Sequence, residues 1–181
     1  MSPFFSGAMV GGLFRGLKAF AAELRKPKSF VQGEAFEDYV REKIFPKTSY
    51  CLVNKAHTYL QNSRDYVESS HKPDFEFRCR DTGYVFHVEA KYRRGAWGVD
   101  GTIAWCRPDQ LQRYRALDRK EPVFLCLGIG RKPTRLKDIY IIPMNKIYTT
   151  DFHDSFLEQY AFCPDKAVRS GFLMWLRMRQ C

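Results

Sequence analysis

The sequence predicts an α/β fold built around a mixed sheet. Three observations carry that expectation. The chain has 181 residues with 45% hydrophobic content, enough for one domain with a real core and too apolar for a disordered chain. Two segments of alternating pattern are joined by a turn signal, and stripes at helical spacing are set among short apolar runs.

The elements follow in chain order. Residues 1–28 read as an apolar and basic N-terminal extension, with Phe4, Phe5, Met9, Val10, Leu13, Phe14, Leu17 and Phe20 near helical spacing before Arg25-Lys26-Pro27-Lys28. Residues 29–181 form the main domain. Phe36, Tyr39, Val40 and Ile44 mark one stripe of a helix that Pro46 stops. At about 100° per residue Glu34 falls on the far side of that helix, while Glu37 borders the stripe and can look inward. A short strand over residues 50–54 comes next, then a polar stretch to His71 that reads as loop. Alternation then marks strands over residues 74–79 and 84–92, separated by Arg80-Asp81-Thr82-Gly83, which has the Asp and Gly of a hairpin turn. After a glycine-rich segment, 95–101, Pro108 and Asp109 open a helix to about Leu117. Apolar strands over 123–129 and 139–142 flank a basic loop, and helices over 154–162 and 166–179 close the chain.

A formal net charge of +10 points to a polyanionic partner, nucleic acid first and an anionic membrane surface second. Contact with a membrane would run through residues 1–28, whose uncharged opening is far shorter than the roughly 20 apolar residues of a membrane span. Their positive charges follow the apolar run, the wrong order for a secretory signal, and the six cysteines stand singly, as reduced thiols do. The expected compartment is the cytoplasm.

Chemistry gathers on the hairpin. Pro73-Asp74 opens its first strand and Glu89-Ala90-Lys91 lies near the end of its second, where alternation puts Glu89 and Lys91 on one face. A two-residue loop at Asp81-Thr82 sets Asp74 opposite Glu89. A three-residue loop pairs it with Ala90 instead, and then a bulge is needed to bring the carboxylates together. Either arrangement offers two carboxylates to a hard divalent cation with an ammonium beside it, the groups that phosphodiester hydrolysis requires. His87 shares this face and reads most simply as a strand histidine with a partner. Glu76 lies on Asp74's face as a candidate for a second metal or for an arginine, and His57, His71 and His153 form no ligand spacing.

Pro73-Asp74, the hairpin and Glu89-Ala90-Lys91 resemble the signature of the PD-(D/E)XK nucleases, the restriction-endonuclease-like fold. Gly33-Glu34-Ala35-Phe36-Glu37 is similar to that family's acidic first-helix motif, and Gln110-Leu111-Gln112-Arg113-Tyr114 to the Gln-x-x-x-Tyr motif of its RecB-like branch. The resemblance covers roughly residues 30–145 and implies a Mg²⁺-dependent deoxyribonuclease of repair, recombination or defence, with Mn²⁺ as a substitute ion. It implies that Asp74, Glu89, Ala90 and Glu37 hold the metal, with Glu34 as fallback for Glu37, and that Lys91 is base or electrostatic stabiliser. Gln110 and Tyr114 complete the implied catalytic set, Gln110 positioning Lys91 or the DNA. Arg93, Arg94, Arg113 and Lys132 are the expected DNA contacts, while Trp97 and Trp105 offer rings to unpaired bases, Trp105 reading equally well as core. Expected partners are DNA, a second copy of the chain for cutting both strands, and a helicase or other protein. The alternative is a catalytically inactive nucleic-acid-binding module of the same fold.

Overall fold

A computed structural model describes residues 27–56, 72–95, 97–164 and 166–179. The leader up to residue 26, with its membrane expectation, and the polar stretch 57–71, with His57 and His71, lie outside the described residues. The chain divides into two compact units, Met1–Val31 and Gln32–Cys181, and the sheet belongs to the second.

Helix α1 spans Lys28–Tyr39 and widens into a single π-turn, Val40–Ile44, closed by a Phe45 N–H bond to the Val40 carbonyl at 2.8 Å. Through that turn Phe45 reaches the core, where its ring meets Tyr50, Phe77 and Phe86 at centroid distances of 5.1–5.5 Å. Strands β1 (Tyr50–Lys55), β2 (Phe75–Cys79) and β3 (Val85–Arg93) form an antiparallel meander. The chain then crosses through β4 (Thr102–Ala104) and α2 (Pro108–Asp118) to β5 (Val123–Ile129), which runs parallel to β3. After β5 come β6 (Asp138–Pro143), β7 (Asp151–His153), α3 (Asp154–Glu158), β8 (Ala161–Phe162) and α4 (Ser170–Met178). The result is a mixed six-stranded sheet in the order β1-β2-β3-β5-β6-β8 flanked by helices, the expected α/β class, with β4 and β7 as a separate pair.

The last quarter departs from the expected two long helices. Helix α3 stops at Glu158 because the next residues pair with the free edge of β6, Phe162 opposite Ile139 and Ala161 opposite Tyr140. Residues 166–169 stay outside α4. The Val168 N–H bonds to the Ile44 carbonyl and its own carbonyl accepts from the Tyr50 hydroxyl, so tertiary bonds outweigh local helix preference there. Strands β4 and β7, three residues each, are too short to show a period of two in the sequence. Among the described residues the cysteines are free thiols, and no helix is long and apolar enough to cross a membrane.

The sheet places its two faces against different helices. Phe86, Val88, Ala90 and Tyr92 of β3 face α1, with Tyr92 6.0 Å from Phe36. His87, Glu89, Lys91 and Arg93 face the layer of β4 and α2. Helix α1 sits so close that a Cβ on Gly128 would stand 2.4 Å from the Phe36 ring. Gly128→Ala is therefore expected to lower stability by about 1–3 kcal/mol through overpacking, read as a lower midpoint in urea at constant m-value.

Candidate active site

The hairpin decides whether the acids meet. Phe75 pairs with Val88, Phe77 with Phe86 and Arg78 with Val85, a register that, extended one residue beyond the paired strand, sets Asp74 opposite Glu89. Between β2 and β3 the chain turns at Arg80-Asp81-Thr82-Gly83. Gly83 adopts φ +70°, which favours glycine, and bonds back to the Cys79 carbonyl at 3.0 Å. Of the two parities open in the sequence, this is the one that sets 74 against 89 without a bulge in the hairpin.

The carboxylates are held at the end of that register. Asp74 Oδ2 accepts the backbone N–H of Ala90 at 2.8 Å, so the first residue of the pair is tied to the strand that carries the second. Glu89 is 1% exposed. Its Oε1 lies 2.5 Å from Lys91 Nζ, and its Oε2 is buried with no hydrogen-bond partner among the described residues. Burial first, then the neighbouring charge of Glu89, holds the Asp74 carboxyl well above its ordinary value; Lys91 pulls the other way, and Glu37 adds to the rise. At Lys91 burial opposes the charge, but Glu89 and Asp74 outweigh it and push the pKa up, leaving an ammonium at neutral pH. Tyr114, 4% exposed, comes to the same place from α2: burial and then the charges of Glu89 and Asp74 push its phenol well above the usual range.

Other expected members stand further off. Glu37 turns to Lys55, Oε2 to Nζ 3.3 Å, and its pKa is raised by burial against the pull of that lysine, with smaller pushes from Glu34 and Glu89. Among the described residues no group of three His, Cys, Asp or Glu stands at metal-ligand spacing, so the sheet gathers Asp74 and Glu89 and leaves Glu37 beside them. Gln110 spends its side-chain oxygen on the Arg107 N–H at 3.3 Å, closing the first turn of α2. Among the described residues no hydrogen bond joins it to Lys91. His87, 3% exposed, pairs with Glu121 at 2.5 Å and is a strand histidine with a partner.

Two residues near the site were not read from the sequence. Lys55 reaches Glu37 only because Val53 is an extra residue in β1: the register shifts between Leu52 and Asn54, which moves Lys55 opposite Phe75 and onto the α1 face. Cys106 lies near enough to Lys91 and Glu89 to feel both, and burial pushes its thiol up to about 12. No spacing rule finds either one.

The backbone has a likeness among solved structures. It is similar to Hjc, a Holliday junction resolvase from the archaeal hyperthermophile Archaeoglobus fulgidus, with a TM-score of 0.48 and 14% identity over 71% of this chain and 93% of that one. No protein-family model and no curated protein matches the chain.

The basic residues divide by what they already hold. Each guanidinium nitrogen of Arg93 donates to a backbone carbonyl: Nε to Ala104 at 2.7 Å, one terminal nitrogen to Tyr92 at 2.9 Å and the other to Trp105 at 2.6 Å. Arg93 thus ties β4 to β3. Arg93→Ala would orphan these carbonyls, and the expected result is a loss of about 1–3 kcal/mol in stability with the salt slope of DNA binding unchanged. Arg113 pairs with Asp109 at 2.7 Å one turn away on α2. Arg94 and Lys132 are exposed and line a common cleft with Trp97. Trp105 is fully buried, stacked on Phe152 at 5.9 Å with its Nε1–H on the Thr149 carbonyl, which makes it core.

Proposed function

We propose that the protein is a metal-dependent nuclease that hydrolyses DNA phosphodiester bonds in repair, recombination or defence. The observation that carries this reading is the unpartnered, buried Oε2 of Glu89 beside the Asp74 carboxylate. A buried carboxylate oxygen without a donor is costly, and two such acids side by side repel unless a cation lies between them. The donor set is all oxygen, which fits a hard divalent ion, Mg²⁺ with Mn²⁺ as substitute. Asp74, Glu89 and the Ala90 carbonyl would hold it, with Glu37 contributing directly or through water. When bound, such an ion supplies Lewis acidity and a coordinated water of lowered pKa.

The remaining chemistry belongs to the chain. Lys91 carries its ammonium on the face of Glu89, where it stabilises the negative charge that develops on the phosphate as water attacks and the bridging P–O bond breaks. Tyr114 comes from α2 close enough to Glu89 and Asp74 for their charges to raise its phenol. His87 is paired with Glu121 through Nε2.

A DNA-binding module of the same fold without catalysis is the second reading, favoured by the Lys91–Glu89 pair, which neutralises Glu89 by itself. Linear, circular and branched DNA incubated with the full chain separates the two. The nuclease reading expects cleavage with Mg²⁺ or Mn²⁺ and none in EDTA. Binding without cleavage under every condition would favour the module.

A further inference from the structure

A cleft of ≈ 680 Å³ opens where the chain leaves β3 and β5, lined by Arg94, Trp97, Arg131, Lys132, Arg135 and Lys137. Its floor is built. The Tyr92 hydroxyl donates to the Gly130 carbonyl at 2.5 Å, and the Gly130 N–H donates to the Arg93 carbonyl at 3.0 Å. The returning loop lies directly on Gly130, where an added Cβ would stand 3.0 Å from Leu136 Cα and from Lys137 N. Within that loop the Arg135 N–H bonds to the Lys132 carbonyl at 3.1 Å, so these two cations are fixed side by side.

The charges in this cleft are unspent. Among the described residues Arg94, Arg131, Lys132 and Arg135 have no carboxylate within ion-pair distance, and Lys137 meets only Asp138, at 3.8 Å. Trp97 is 38% exposed on the wall, and Asp138 and Asp154 complete the lining. Cations alone would suit any polyanion; an exposed indole among them suits one whose bases are free to stack. Bases inside a duplex present no open face, whereas an unpaired base stacks on an aromatic ring whatever its identity. The volume also lies in the range of pockets that enclose a small ligand, about 300–1,000 Å³. That is room for a nucleotide or two and not for a double helix.

We infer that this cleft receives the unpaired strand of the DNA substrate, with phosphates on Arg94, Arg131, Lys132 and Arg135 and a base on Trp97. The inference rests on the nuclease reading for its choice of DNA. Arg94 follows Lys91 by three positions, about 10 Å along an extended chain. The enzyme's substrate class is therefore duplex that carries or branches into a single strand. Asp138 and Asp154 repel phosphate, so they face the sugar and base side, where they accept hydrogen bonds.

The test measures binding in EDTA, so cleavage plays no part in it. Fluorescent duplex with a single-stranded overhang, blunt duplex of the same paired sequence and free dTMP are titrated against the full chain and its variants. The overhang should bind about tenfold tighter than blunt duplex, the scale of one base-aromatic stack. Trp97→Ala should remove that preference while leaving blunt-duplex affinity in place, and Trp97→Phe should restore most of it. Lys132→Ala with Arg135→Ala should reduce the salt slope for the overhang by about 1.4, or 0.7 per phosphate contact. Equal affinity for the two DNAs, a preference that survives Trp97→Ala, or dTMP competing as well as the strand itself would each overturn the inference. An overhang preference without metal-dependent cleavage in the parallel assay would sink the nuclease reading alone. Cleavage with no overhang preference would sink this one alone.

Discussion

Lys91→Ala is expected to slow DNA cleavage by about 10²–10⁴-fold while leaving DNA affinity in EDTA within a factor of two or so. The side chain's ammonium lies 2.5 Å from Glu89 and is kept charged by Glu89 and Asp74 against the pull of burial, so under the nuclease proposal it acts on the scissile phosphate and does not anchor the duplex. Asp74→Asn and Glu89→Gln should lose cleavage more completely, because each removes a charge from the oxygen set that would hold the metal. Single-turnover cleavage with Mg²⁺ in excess reads the chemical step, and fluorescence anisotropy in EDTA reads binding. Lys91→Ala cleaving at the parental rate would remove Lys91 from the chemistry altogether. A loss confined to binding would make it one more phosphate contact.

The second large effect is on stability, with the opposite sign from most core substitutions. In EDTA, Asp74→Asn should be more stable than the parent at neutral pH. The folded-state pKa of Asp74 lies well above its ordinary 3.8, owing to burial and then Glu89. The protonated form is thus favoured by folding: the favourable contribution is present below the ordinary value and is lost as pH rises through the raised one. Melting temperature of the metal-free parent should fall from mildly acidic to neutral pH, and Asn at position 74 should flatten that slope. Asn also keeps an oxygen for the Ala90 N–H. Lys91, raised above 10.5, remains charged throughout this range and adds no slope. Divalent metal should reverse the order: at a hundredfold excess over its Kd an ion that binds only the folded state adds about 2.7 kcal/mol to the parent. It should add little to Asp74→Asn. Equal metal-induced shifts in the two proteins would place the ion elsewhere.

How much of this could be read from residues alone depended on where the controlling bond lay. The β2–β3 hairpin and the shared face of Glu89 and Lys91 were legible because alternation is local and Gly83 marks the turn. The wholly buried run of β5 was legible for the same reason, as a short apolar segment between breakers. Lys55 was not, since the extra residue at Val53 inverts the parity that alternation assumes. Nor was the division of labour between Arg93 and Arg94. Both look like phosphate contacts in sequence, and the carbonyls of Ala104 and Trp105 that claim Arg93 are brought near only by the crossover. Gln110 and Tyr114 stand one turn apart on one helix face, yet Tyr114 comes near Glu89 while the oxygen of Gln110 satisfies the open end of its own helix. Residues 154–162 carry a helical pattern whose second half serves the edge of β6 instead.

The Ala90 amide is bonded to the Asp74 carboxylate where most strand amides are bonded to a carbonyl. Strand β3 pairs with β5 from His87 to Arg93, but its pairing with β2 ends at Val88 opposite Phe75, so Glu89 and Lys91 are held by β5 alone and Asp74 stands just before its own strand begins. The two halves of the site are thus joined beyond the last β2–β3 pair, by the Asp74 carboxylate itself. One backbone proton reports whether they are joined: the protection of the Ala90 N–H from exchange with deuterated solvent measures how firmly Asp74 holds it, separately from global unfolding.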